Sequence, residues 1–410
     1  MPGPGWYLID QSEIESLTEA LTTKEISRYR FDGTVDSPSK VYQFEQEFAQ
    51  RLGSPYCIGM NSATSALLSA LVTAGIGEGD EVIVPGYTFI APIAAVIYAG
   101  AVPVLAEVDE SLTLDPRDVV HKITECTRAV LPVHMLGLPC DMEAISAVAR
   151  EHDLLVIEDV SQACGGSFKG RRLGTWGDAG VFSLNGAKVI TGGDGGVFIT
   201  PHKDFHEQAF AFHDHGSAPL RLGVTDHGAL LGLNFRMCEL VGAMALVQAR
   251  RLDGILDTLR TNYALFVEEL GELPDARLAP VNDPSGHCAT VLAITLDTAR
   301  RAQEFAAALG TATLDASPRH MYWRMPQLRP REGAAPGGRG FGRKGAVRVL
   351  PGTAKGTLPT TDDILARSVA LSVGVVDAYL GAGFGIDITS DKNEIRAVAK
   401  TVREALRNLS

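Results

Sequence analysis

The sequence predicts an α/β protein in two parts. Residues 1–256 make a large domain around a mainly parallel central sheet, and residues 257–410 a smaller C-terminal α+β domain. Three observations carry this. Short apolar runs alternate with helix-length segments from Tyr56 to Ile157, the pattern of strands buried on both faces. A chain of 410 residues, 45% hydrophobic and 21% charged, can bury a core of that size. After a long helical stretch from about Cys238 to Leu270 the strict alternation is lost.

In order, the chain opens with a helical stretch around Ser12 to Thr22 and a polar segment through Asp36-Ser37-Pro38-Ser39. Val41, Phe44, Phe48 and Leu52 recur at helical spacing. A strand (Tyr56 to Met60) and a helix (Ser62 to Ala74) follow. Val82 to Ala106 carries no charge, and its length tempts a transmembrane reading. Pro85, Gly86, Pro92, Gly100 and Pro103 divide it instead into strand, helix (about Ala91 to Tyr98) and strand. Next come a strand (Ala129 to Val133), a helix (Met142 to Glu151) and a strand (Leu154 to Ile157). In the C-terminal part, His287 to Ile294 and Thr311 to Leu314 read as strands. Thr298 to Leu309, Ile364 to Leu371 and Lys392 to Leu406 read as helices. No internal repeat is evident.

Composition excludes some functions. A net charge of −12 argues against a nucleic-acid scaffold, which needs a basic face. The six cysteines (57, 126, 140, 164, 238 and 288) form no framework and read as reduced thiols. The first ten residues lack a basic segment followed by an apolar one, so a cytoplasmic location without a signal peptide is expected.

The chemistry concentrates between Leu154 and Val197. The run Leu154-Leu155-Val156-Ile157 ends in Glu158-Asp159, which puts a carboxylate at the carboxyl end of a strand, where open α/β sheets bind ligands. Lys188 follows among small residues. A lysine, with an aspartate able to keep a pyridine nitrogen protonated, is the minimum equipment for pyridoxal 5'-phosphate (PLP) chemistry. Asn61-Ser62-Ala63-Thr64 joins a strand to a helix whose first turn offers free N–H groups to a phosphate. Ser62 as an ordinary N-cap explains the same residues.

The wording of the whole segment resembles the DegT/StrS-type sugar aminotransferases of the fold type I PLP enzymes. It is carried by Val156-Ile157-Glu158-Asp159-Val160-Ser161-Gln162-Ala163, Gly177-Asp178, Phe182-Ser183, Lys188 and Gly193-Asp194-Gly195-Gly196. Pro85-Gly86-Tyr87-Thr88-Phe89 and Gly232-Leu233-Asn234-Phe235-Arg236-Met237 extend the likeness. It implies that Lys188 carries PLP covalently and that Asp159 pairs with the ring nitrogen. It also implies that Phe89 stacks on the ring, that Gln162 lies near its phenolic oxygen, and that Ala63, Thr64 and Ser183 hold the phosphate. Asn234 would reach the phosphate of the neighbouring subunit, which implies a homodimer with shared sites. Here Ala63 replaces the family's glycine and Leu184 its second aromatic.

The implied reaction moves an amino group from glutamate or glutamine to a keto sugar or keto cyclitol. Ser37 to Val41, the surroundings of Cys140, and Val160 to Gly166 resemble a branch with octulosonate and inosose aminotransferases, which implies an acceptor without a nucleotide. Two other readings remain. A PLP- or PMP-dependent sugar dehydratase of the family would carry histidine where Lys188 stands. A non-catalytic nucleotide-binding protein would use Gly192 to Gly196 as its phosphate loop, though neither GxGxxG nor GxxxxGK[ST] is present. His213-Asp214-His215 is a weak zinc signal, and the resemblance, in which a similar H-x-H-G stretch occurs, implies a structural or substrate-side loop. The Gly- and Arg-rich stretch 329–345 reads as a solvated basic loop, with a lid over an anionic substrate as the second reading.

Overall fold

A computed structural model describes residues 2–24, 26–29, 39–217, 230–273, 275–328 and 352–409. The 329–345 loop and Asp36 to Pro38 lie outside them. The central sheet has seven strands: β1 (Tyr56–Met60), β2 (Glu81–Pro85), β3 (Val102–Ala106), β4 (Thr127–Val130), β5 (Leu155–Asp159), β8 (Ala179–Ser183) and β9 (Gly196–Thr200). The short hairpin β6 (Ser167–Phe168) and β7 (Arg171–Arg172) stands apart. The spatial order is β1-β9-β8-β5-β4-β2-β3. Contacts from β3 through β8 are parallel, while β9 runs antiparallel to both β8 and β1.

This topology decides where chemistry can happen. Because β1, β2, β5 and β8 point the same way, Met60, Pro85, Asp159 and Ser183 all end at one edge. The loops after those strands converge there, as in other open α/β sheets.

Most expected elements stand within a residue or two, and four differ. β4 stops at Val130, because Pro132 has no N–H for the ladder, and Val133 makes only an isolated bridge to Asp159. The strand expected from His287 starts at Val291, since Ala289 has a positive φ (57°) that breaks extended backbone. Thr311 to Leu314 is not a strand, Thr313 alone bridging Val369 before a 3₁₀ turn at Leu314–Ala316. The helix expected over Ile364 to Leu371 is instead helix Pro359–Ala366 followed by strand β12 (Ser368–Ser372). All five β12 residues are buried, and the strand pairs antiparallel with β11 (Val291–Leu296). β10 (Ala276–Leu278) completes that three-stranded sheet.

One helix of 32 residues, Glu239–Leu270, passes through the 256/257 boundary and joins the two halves. Its Leu246, Leu252, Ile255, Leu256 and Leu259 belong to the core of the large sheet. Phe266 and Leu270 belong to the core of the small one. That second core is closed by helix Lys392–Arg407, started by a capping box between Asp391 and Glu394, with Ile395, Ala399, Val402 and Leu406 buried. No helix among the described residues is long and apolar enough to cross a membrane.

Candidate active site

Side chains alternate along a strand, so Glu158 and Asp159 leave β5 on opposite sides. Glu158 is fully buried and structural. Its oxygens accept from the backbone N–H groups of Gly174 (2.7 Å), Trp176 (2.7 Å) and Gly177 (2.8 Å), and it lies 3.3 Å from His134 Nε2. The Cys140 N–H donates to His134 Nδ1, so the ring carries its proton on Nε2 and donates to Glu158. This carboxylate fixes the loop that leads into β8.

Asp159 faces a cavity of about 320 Å³ at the carboxyl edge of the sheet. Its Oδ1 accepts from the Ser161 N–H at 2.9 Å. Burial raises its pKa above the usual carboxylate value, against the hydrogen bonds from Ser161 and the nearby Lys188. Lys188 lines the same cavity from the loop between β8 and β9. Desolvation lowers its pKa, with Asp159 and Asp377 opposing. Its amine is therefore more readily uncharged than that of an exposed lysine.

The lysine loop is held from both sides. Lys188 N–H donates to the Asn185 carbonyl (3.0 Å), while Thr191 Oγ1 (3.0 Å) and Gly192 N–H (2.9 Å) both reach the Leu184 carbonyl. The N-terminal segment packs beneath it. Gly3 N–H donates to the Gly186 carbonyl at 2.9 Å, and a Cβ on Gly3 would lie 2.4 Å from the Lys188 carbonyl oxygen. The sequence carried no pattern that marks this contact.

Ala63, Thr64, Phe89, Gln162 and Ser183 line the cavity with Asp159 and Lys188, so seven of the eight expected residues meet. Ser62 caps helix Ala63–Thr73, its Oγ accepting from Ser65 N–H at 3.1 Å. The N–H groups of Ala63 and Thr64 in that first turn have no intrahelical acceptor. Gly196 presses its backbone against this turn: a Cβ on it would stand 2.2 Å from Ser62 C and 2.3 Å from Ala63 N. This glycine thus serves close packing beside the helix start. Gln162 Oε1 accepts from Leu136 N–H at 2.9 Å, holding Leu136 at a positive φ of 59°. Phe89 is 40% exposed, a large ring left uncovered toward the cavity.

Asn234 is the exception. It is exposed, does not line the cavity of its own chain, and pairs by backbone with Asp214. His213 is fully buried, its Nε2 2.9 Å from the Tyr29 hydroxyl, and burial pushes its pKa down to about 4. Among the described residues no group of three or more His, Cys, Asp or Glu is arranged to hold a metal. The small domain supplies a wall that the sequence did not reveal: Thr290, Arg319, His320 and Asp377. His320 is the one with a local signal, a histidine inside the apolar Met321-Tyr322 context, yet only the fold brings it here.

PLP fits this cavity on several grounds. Ser161 Oγ is buried without a hydrogen-bond partner. Among the described residues nothing donates to Asp159 Oδ2, leaving one oxygen of a buried carboxylate to face a protonated ring nitrogen. The first turn at Ala63 offers N–H groups and the positive end of a helix to a phosphate.

The sequence profile of the DegT/DnrJ/EryC1/StrS aminotransferase family matches residues 11–337. The chain is 38% identical over 267 residues to the GDP-perosamine synthase of Caulobacter vibrioides, covering 65% of this chain and 69% of that protein. It is 35% identical over 282 residues to the L-glutamine:2-deoxy-scyllo-inosose aminotransferase of Streptoalloteichus tenebrarius, covering 66% of this chain and 65% of that one. These alignments span about two thirds of each curated relative. The solved structure of the aminotransferase from Psychrobacter cryohalolentis superposes over the whole of both chains (100% of each) with a TM-score of 0.80 at 25% identity. The chain belongs to the DegT/DnrJ/EryC1/StrS aminotransferase family and is a PLP-dependent aminotransferase of fold type I.

Proposed function

We propose that this enzyme moves an amino group from glutamate or glutamine to a keto sugar or keto cyclitol, in amino-sugar or secondary-metabolite biosynthesis. The observation that carries the reading is the joint approach of Lys188 and Asp159 to one cavity beside a helix start suited to phosphate. One relative acts on a 2-deoxy-scyllo-inosose by its name and another is named for GDP-perosamine, so the reading keeps both a free cyclitol and a sugar as acceptor classes.

In this reading Lys188 carries PLP, with Asp159 at the ring nitrogen, Phe89 on the ring face and Gln162 near the phenolic oxygen. Ala63, Thr64 and Ser183 hold the phosphate. Bound there, PLP supplies an electron sink for the carbanion formed when the donor loses its α proton. The residues do the rest. Nζ of Lys188, whose pKa desolvation lowers, takes up that proton and later returns one in the acceptor half-reaction. Asp159, fixed by Ser161, keeps a positive charge stable at the ring nitrogen. Asn234, exposed on its own chain, reaches the phosphate in the partner of a cytoplasmic homodimer.

A dehydratase of the family would need histidine at 188. A half-reaction screen tests the acceptor: enzyme first aminated by glutamate or glutamine is mixed with keto sugars and inososes while the visible absorbance of the lysine-linked cofactor is followed. Recovery of that absorbance with a member of either class supports the proposal. No recovery with any of them contradicts it.

A further inference from the structure

The cavity has a polar wall that the cofactor contacts leave unused, built from Arg319, His320 and Asp377. His320 is its fixed part. Its Nδ1 lies 2.9 Å from Ser317 Oγ and 3.2 Å from the Tyr379 carbonyl, and its own carbonyl accepts from Thr88 N–H at 3.0 Å. Burial pushes its pKa down to about 3, so the ring is neutral.

Arg319, the neighbouring residue, is placed differently. Its backbone is held, with the N–H 3.4 Å from Ser317 Oγ, while its side chain lines the cavity. Among the described residues no carboxylate comes within ion-pair distance of it, although Asp377 lines the same cavity. Its guanidinium carbon instead sits 3.9 Å from the centroid of the Tyr379 ring. Arg324, by contrast, pairs with Asp315 at 3.6 Å. Lys188 and Arg319 are thus the cations lining the cavity among the described residues, and Lys188 is committed to the chemistry.

A transaminase admits donor and acceptor to the same cavity in turn. The amino donor always brings a carboxylate, whereas a keto sugar or cyclitol without an acid group brings hydroxyls. One side chain must therefore offer a cation in the first half-reaction without leaving an uncompensated charge in the second. A guanidinium with no acidic partner, resting on an aromatic face, meets both demands. We propose that Arg319 recognises the α-carboxylate of the amino donor, and that the Tyr379 ring is its resting place when the acceptor occupies the cavity. This inference rests on the aminotransfer reading given above.

Glutarate has the donor's carboxylates but no amine, so it binds without reacting, and glutaramide is its neutral counterpart. Calorimetric titration of the holoenzyme with each separates charge recognition from fit. The wild-type enzyme should prefer glutarate. Arg319→Gln should raise the Kd for glutarate about tenfold or more, the scale of a lost charge-assisted hydrogen bond, and leave glutaramide unchanged. Arg319→Lys, which keeps the charge and loses the planar fork, should fall between. In the separated half-reactions, Arg319→Gln should raise the KM for the donor and not that for the acceptor. Unchanged glutarate binding in Arg319→Gln overturns the proposal, as does an equal loss for glutarate and glutaramide. Failure of the aminotransfer reading shows separately, as wild-type holoenzyme whose visible absorbance neither glutamate nor glutamine bleaches.

Discussion

The backbone N–H of Ser161 donates to Oδ1 of Asp159 at 2.9 Å and thereby aims the carboxylate from the end of β5 into the cavity. One oxygen is satisfied by the protein, and the other is left for a ligand. Burial raises the pKa of this carboxyl, so without a cationic partner its charge is held at a cost.

Asp159→Asn should separate function from stability. Turnover should fall by about 10²-fold or more, as when a preorganised electrostatic partner is removed, while cofactor is still bound. With the folded pKa raised, the folded state holds its proton more tightly than the unfolded one. The stabilising contribution is complete below the unfolded value of 3.8 and is lost as pH rises through the folded value. At pH 7, above the unfolded value, the wild-type apoprotein carries a cost from this group, so the Asn variant should melt no lower than wild type. Thermal melts of both apoproteins check this, and a clearly lower melting point in the variant contradicts it.

Lys188 gives the opposite titration. Desolvation lowers its pKa below 10.5, so the free amine that captures an aldehyde is available at lower pH than in an exposed lysine. The rate of PLP uptake by apoenzyme should rise with pH and level off before 10.5. A rate still climbing through that value, followed by visible absorbance, shows an amine with no such shift.

Gly196→Ala tests the phosphate cradle. The added Cβ would stand 2.2 Å from Ser62 C and 2.3 Å from Ala63 N, and both contacts are backbone that cannot swing aside. The helix start must shift, so PLP affinity should weaken by about tenfold or more, consistent with loss of a charge-assisted hydrogen bond to the phosphate. Equilibrium dialysis of PLP reads the effect, and wild-type affinity would mean that the turn does not hold the phosphate.

The parts of the site carried by local wording were legible in the sequence. Asp159 closes an apolar run and Lys188 follows it among small residues, which marks the segment, while the roles given to them came from the resemblance of the wording around them. What failed to read out depended on partners distant in the chain. An apolar strand buried on both faces looks the same in either direction, so the antiparallel course of β9 left no mark. The apolar residues Val369 and Leu371 continue the pattern of the preceding helix, and only pairing with β11 makes them a strand. Arg319 and Asp377 sit in turns of the small domain, and the bridge from Tyr87 to Met321 is what carries their wall to the cavity.

Asn234 is exposed on its own chain, and the proposal has it act on a partner. Mixing Lys188→Ala with Asn234→Ala should then restore activity, because one of the two sites in each heterodimer carries neither lesion. Recovered sites cannot exceed half of those in the heterodimers. Confirmed subunit exchange without recovery, from an Asn234→Ala enzyme clearly impaired by itself, places the asparagine's role within its own chain.

The central claim is that Lys188 holds the cofactor in this cavity. Borohydride reduction of the holoenzyme, followed by peptide mapping with mass spectrometry, tests it directly. The account predicts a pyridoxyl adduct on the peptide containing Lys188 and no fixed adduct in Lys188→Ala. An adduct on any other lysine of the wild-type enzyme would contradict it.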